Sequence, residues 1–196
     1  NLGNVYLELK ELTHALDAYQ KSLAIDPQYV EAWSNMGNAL FALKRYEEAL
    51  NHHHHALSLN PQYAQAYSNA GNTLNHLSRF EEAIASYDQA LSLAPDYHEA
   101  WSNKGAALYQ LKRYDEAIFH YDQALSLNPN YHEAWFNKGV ALHELKRYEA
   151  GIAHYDQALS LKPDYHEAWA NKASALYQLR RYDEAIFHYD QALSLE

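Results

Sequence analysis

With 196 residues, 48% of them hydrophobic, and a net charge of −10 at pH 7, the chain can bury a substantial core. It lacks the basic block that a nucleic-acid binder needs to displace counterions. The absence of cysteine removes disulfides, thiolate metal sites and a cysteine nucleophile, and fits a reducing, cytoplasmic compartment. No apolar run approaches the roughly 20 residues that span a bilayer, and no leader is recognisable, so a membrane role is not expected.

One spacing organises the whole chain. All four tryptophans (Trp33, Trp101, Trp135, Trp169) and Tyr67 fall on a 34-residue period, as do all five prolines (Pro27, Pro61, Pro95, Pro129, Pro163). Gly3, Gly37, Gly71, Gly105 and Gly139 mark a third recurrent place. Taking Val30, Ala64, His98, His132 and His166 as position 1, the repeats are 1–29 (partial), 30–63, 64–97, 98–131, 132–165 and 166–196 (partial).

Within each repeat, positions 4, 7, 8 and 11 share one face of a first helix, A. Positions 17, 20, 24, 27 and 28 share one face of a second helix, B. Between them "LKRY" or "LSRF" is a turn, and the proline at position 32 stops helix B because it lacks an N–H and clashes with the preceding turn. Small residues at positions 8, 20 and 27 let helix axes approach closely. A hairpin of this kind cannot cover its own apolar face, so hairpins must stack.

Taken in chain order, the repeats differ in detail. The first enters at position 6 with Asn1, which is expected of a piece excised from a longer protein. The second carries "NHHHHALSLN", in register with "IFHYDQALSL" of the fourth, so the histidines belong to helix B. His53 then replaces a core tyrosine, and the other three are expected on a solvated outer face. Only His52 and His55 share a side, which is too few ligands for a zinc site, and no metal is expected. In the fourth, fifth and sixth repeats Lys104, Lys138 and Lys172 stand at position 7, and the direction of their ammonium groups stays open. In the fifth and sixth, Gly151 and Ala173 change small positions. The repeats starting at His98 and His166 differ at only four of thirty positions, which points to internal duplication. Neither end bears an obvious polar capping helix.

The pattern of Trp at 4, Gly at 8, Tyr or Phe at 17, small residues at 20 and 27 and Pro at 32 resembles the tetratricopeptide repeat across the whole chain. The resemblance implies an all-α, right-handed solenoid superhelix of antiparallel helix pairs, forming one domain over 1–196. The "YDEA" and "NKG" blocks and the near-identical copies are similar to bacterial members of the family. It also implies that positions 2, 5, 6, 9, 12 and 13 of the A helices face a concave groove.

Position 6 is asparagine in all six repeats: Asn1, Asn35, Asn69, Asn103, Asn137 and Asn171. Asparagine is a poor helix-interior residue, and its amide can both donate to and accept from an extended peptide backbone. The expected site is therefore an asparagine ladder with Asn38 and Asn72 at position 9 and Tyr109, His143 and Tyr177 at position 12. Phe136 at position 5 completes it, where Ser34, Ser68 and Ser102 stand earlier in the chain.

Position 2 is Glu31, Gln65, Glu99, Glu133 and Glu167, and no Lys or Arg occupies 5, 6 or 9. The family's clamp for acidic C-terminal tails is thus absent, and a neutral or basic partner is expected.

The leading reading is a non-catalytic scaffold that binds an extended peptide or partner segment. No phosphate loop, paired-carboxylate motif or nucleophile elbow occurs, no cofactor is called for, and the chain is not read as an enzyme. Two alternatives stand beside it: end-to-end self-association through apolar end helices, and the recognition arm of a larger enzyme.

Overall fold

The computed structural model describes residues 2–195; Asn1, expected as the first of the position-6 asparagines, lies outside them. Among the described residues there are twelve α-helices and no strand. The chain divides into two compact units, Asn1–Asp96 and Tyr97–Glu196.

The first unit contains α1 (Leu2–Glu8), α2 (Leu12–Ile25), α3 (Val30–Ala42), α4 (Tyr46–Leu59), α5 (Ala64–His76) and α6 (Phe80–Leu93). The second contains α7 (His98–Gln110), α8 (Tyr114–Leu127), α9 (His132–Glu144), α10 (Tyr148–Leu161), α11 (His166–Gln178) and α12 (Tyr182–Leu193). Odd-numbered helices are the A helices and even-numbered ones the B helices. Each packs on its sequence neighbours within its unit, and A helices also touch across repeats: α3 on α5, α7 on α9 and α9 on α11.

The turn after each A helix is tight and unusual in composition. Lys10, Lys44, Ser78, Lys112, Lys146 and Arg180 all adopt left-handed backbone, with φ between 58° and 60°. Glycine is the residue that normally fills this place, because a Cβ is strained there. The bonds closing the turn are those of a helix C-cap: the Lys44 N–H reaches Phe41 O at 2.8 Å and the Arg45 N–H reaches Leu40 O at 2.9 Å. No side chain caps the start of helix B. An arginine fork follows instead. Arg45 donates from Nε and Nη2 to Glu48, both at 2.7 Å, and Arg79–Glu82, Arg113–Glu116 and Arg181–Glu184 repeat it. Ala150 takes the glutamate's place in the fifth repeat, and there Arg147 lies 3.8 Å from Asp115.

The two residue types that define the period are bonded to each other. The indole N–H of Trp33 donates to the carbonyl of Pro27 at 2.8 Å, Trp135 to Pro129 at 2.8 Å and Trp169 to Pro163 at 2.9 Å. A carbonyl released where proline breaks helix B is thereby satisfied by the next A helix. The glycines at position 8 mark the closest approach of A to B. A Cβ on Gly3 would lie 2.5 Å from the Tyr19 ring, and one on Gly71, Gly105 or Gly139 2.7, 2.7 or 2.6 Å from Tyr87, Tyr121 or Tyr155. Those tyrosines are buried and, with the small alanines of positions 20 and 27, build the core of each unit.

Candidate functional site

Both units present a surface of A helices on which the expected site residues lie, but the two surfaces are built differently. In the first unit the position-9 amide is part of the packing. Asn4 Oδ1 accepts the Tyr19 hydroxyl at 2.8 Å and the Asn35 amide at 3.1 Å, joining α1, α2 and α3. Asn72 Oδ1 likewise accepts the Tyr87 hydroxyl at 2.7 Å. Asn69 Oδ1 accepts from Gln65 at 3.2 Å, while its Nδ2 is buried without a partner. Asn38 is half-buried, and in its repeat His53 stands in place of the tyrosine, against Gly37. The His53 ring is fully buried and neither nitrogen has a partner. Burial, then the neighbouring His52 and His54, push its pKa down to about 3.

The serines expected at the groove are buried. Ser34, Ser68 and Ser102 are at most 2% exposed, because position 5 turns toward the adjoining repeat. Phe136 alone of that set is a half-buried aromatic; its ring lies 4.8 Å from Tyr165 and 6.0 Å from Tyr155.

In the second unit a cavity of about 260 Å³ opens between α7, α9 and α11. Ala106, Tyr109, Phe136 and Val140 wall it, and Tyr121 of α8 joins them. Gln110, Asn137 and Asn171 bring amides to it. Four expected site residues, Tyr109, Phe136, Asn137 and Asn171, therefore meet here. Asn171 turns its amide onto its own helix, donating to Glu167 O at 2.8 Å. Burial, then Glu144, raises the Tyr109 hydroxyl above its ordinary pKa. The hydroxyl of Tyr155 is buried and unpartnered, and burial raises its pKa strongly.

The remaining expected residues lie apart from this cavity. Asn103 is half-buried on α7. His143 packs edge-on against Tyr148 at 5.0 Å, with a buried, unpartnered Nδ1 and a pKa lowered by burial. Tyr177 is exposed and sits 5.4 Å from Tyr182. Tyr121, Ala106, Val140 and Gln110 were not among the expected residues. Tyr121 reads as core from sequence, and the signal for it was the loss of asparagine at position 9 in the fourth and fifth repeats.

Two of the position-7 lysines are ion-paired, and the position-23 histidines lie against tryptophans. Lys138 Nζ lies 2.6 Å from Asp122, and Lys172 Nζ lies 2.7 Å from Asp156, each on the B helix of the preceding repeat. Lys172 also stands over the Trp169 ring. The position-23 histidines are not a solvated row: His52, His120, His154 and His188 lie 5.2 to 5.5 Å from Trp33, Trp101, Trp135 and Trp169. His53 does replace the core tyrosine, and His54 and His55 are exposed. Among the described residues no group of three or more His, Cys, Asp or Glu is placed to hold a metal ion. No described helix is long and apolar enough to cross a membrane.

Stacked helical hairpins with a period of 34 residues and A helices that share a surface define a helical-repeat interaction module. The chain belongs to the tetratricopeptide repeat family. The tetratricopeptide repeat model matches residues 98–131, 132–165 and 166–196, and two further models of the same repeat match 3–44 and 29–96. No match was found among curated protein sequences. Among solved structures, PilF of Pseudomonas aeruginosa is similar at 21% identity and a TM-score of 0.85, over 95% of this chain and 85% of PilF. YrrB, described as a TPR protein with an unusual peptide-binding site, matches at 22% identity and 0.72, over 92% and 93%. MamA of Desulfovibrio magneticus RS-1 matches at 20% identity and 0.77, over 85% and 94%.

Proposed function

We propose that the chain is a non-catalytic scaffold that holds an extended, neutral or basic peptide along its A helices, in a right-handed superhelix, through side-chain amides of the asparagine ladder. The observation that carries this reading is the cavity of the second unit. Its lining residues come from positions 5, 6, 9, 12 and 13, the positions the family resemblance assigns to the groove, with Tyr121 at its base. Asn137 makes no hydrogen bond among the described residues, so its amide is available to a peptide N–H or C=O. In the first unit the Asn35 amide is already engaged by Asn4, which supports assigning the peptide contact to Asn137 in the second.

The test is a double variant, Asn137→Ala with Asn171→Ala, titrated with peptides selected on the wild type. Loss of affinity with an unchanged helical signal and melting temperature supports the reading. Unchanged affinity removes the ladder from the mechanism.

A further inference from the structure

We infer that the second-unit cavity is a side-chain pocket for an aromatic residue flanked by a basic one, opened by the replacement of asparagine at repeat position 9. This deepens the peptide-groove reading above and rests on it.

Where position 9 is asparagine and position 24 is tyrosine, the amide oxygen lies against the tyrosine and accepts a hydrogen bond from its hydroxyl. Asn4 does so for Tyr19 at 2.8 Å and Asn72 for Tyr87 at 2.7 Å. The fourth and fifth repeats keep the tyrosines, Tyr121 and Tyr155, but carry Ala106 and Val140 at position 9. Both shorter, apolar residues line the cavity, and the buried Tyr121 forms part of its wall. Tyr155 is left with a buried hydroxyl that has no acceptor. Asn35 leans on Asn4, whereas Asn171, which follows a repeat with Val140, folds its amide back on Glu167. One substitution in the repeat pattern therefore removes a filler and an acceptor and lets the next position-6 amide turn away from its neighbour.

Size and charge select the occupant. An apolar cavity of about 150 Å³ takes up benzene. The 260 Å³ here has room for a larger aromatic side chain between Tyr109, Tyr121 and Phe136. None of the lining residues is charged. The rim is acidic. Glu144 acts on the Tyr109 hydroxyl, and Glu133 and Glu167 act on Tyr165, whose ring is 4.8 Å from Phe136. Of the nearby cations, Lys138 and Lys172 are committed to Asp122 and Asp156, and Lys162 stands over the Tyr165 ring at 4.8 Å, one ammonium against the three carboxylates. His132 and His166 lie 3.1 and 3.4 Å from Glu133 and Glu167. Lysine or arginine beside the aromatic residue complements that rim.

The experiment selects phage-displayed random linear peptides of about twelve residues on the wild-type chain. The enriched sequences are then made as fluorescent synthetic peptides and titrated against wild type and Ala106→Asn. This variant restores the amide that Tyr19 and Tyr87 already have, so circular dichroism is expected to be unchanged. Each peptide is also made with its aromatic residue replaced by alanine, a control independent of how the protein variant folds. The expected result is an aromatic–basic motif whose affinity falls at least about tenfold with either change. Enriched peptides without that motif, or with affinity indifferent to both changes, overturn the pocket and leave groove binding standing. Failure to enrich any peptide overturns both.

Discussion

His53→Tyr is expected to stabilise the protein, and by an amount that grows as the pH falls. Tyrosine fits the site on the evidence of its neighbours. The His53 ring approaches a Cβ built on Gly37 to 2.5 Å, the same approach that Tyr19 makes at Gly3, and Tyr87 comes within 2.7 Å at Gly71. A tyrosine hydroxyl there would reach Asn38 as Tyr19 reaches Asn4. Two gains follow at neutral pH: one net hydrogen bond of about 1 kcal/mol, and removal of a buried ring N–H with no acceptor, worth about 1–3 kcal/mol. The pH term is separate. The folded-state pKa of about 3 lies below the ordinary histidine value, so the stability is fully present above about 6.5 and is lost as pH falls toward the folded value. At pH 5.0 protonation of the unfolded histidine, with an ordinary pKa of about 6.5, costs the wild type about 2 kcal/mol. The variant is spared this loss, while the other twelve of the 13 histidines are common to both proteins. Urea denaturation followed by circular dichroism at pH 7.5 and pH 5.0 measures the two terms. An advantage of about 2–4 kcal/mol at pH 7.5 should widen by about 2 kcal/mol at pH 5.0. A difference independent of pH, or a variant less stable than wild type at pH 7.5, refutes the reasoning.

Lys146→Gly should raise stability by about 1 kcal/mol, because φ of 58° strains a side-chain-bearing residue; a lowered urea midpoint would contradict this. Trp135→Phe should lower stability by about 1 kcal/mol or more through loss of the bond to the Pro129 carbonyl, seen as a lower urea midpoint with an unaltered slope. An unmoved midpoint would show that water replaces the indole at no cost.

Much of the fold was legible in the residues. The 34-residue spacing of Trp, Gly and Pro, together with apolar residues three and four apart, is enough to place twelve helices and the turns between them. The reason is local: helical periodicity, a proline stop and glycine-only packing are properties of a short stretch of chain. His53 in a tyrosine's core place was legible too, because register alone assigns it. What register leaves undecided is where a side chain goes once another repeat lies beside it. Ser34, Ser68 and Ser102 share a helix with the groove residues yet are buried. Lys138 and Lys172 turn to carboxylates 16 residues back in the chain rather than to the groove. The asparagines at position 6 look alike in sequence, but Asn35 is held by Asn4, Asn171 by its own helix, and Asn137 by neither. Their fates differ with the side chains that the neighbouring helices bring to them. That dependence is a through-space one, set by helix packing, and only the tertiary structure expresses it.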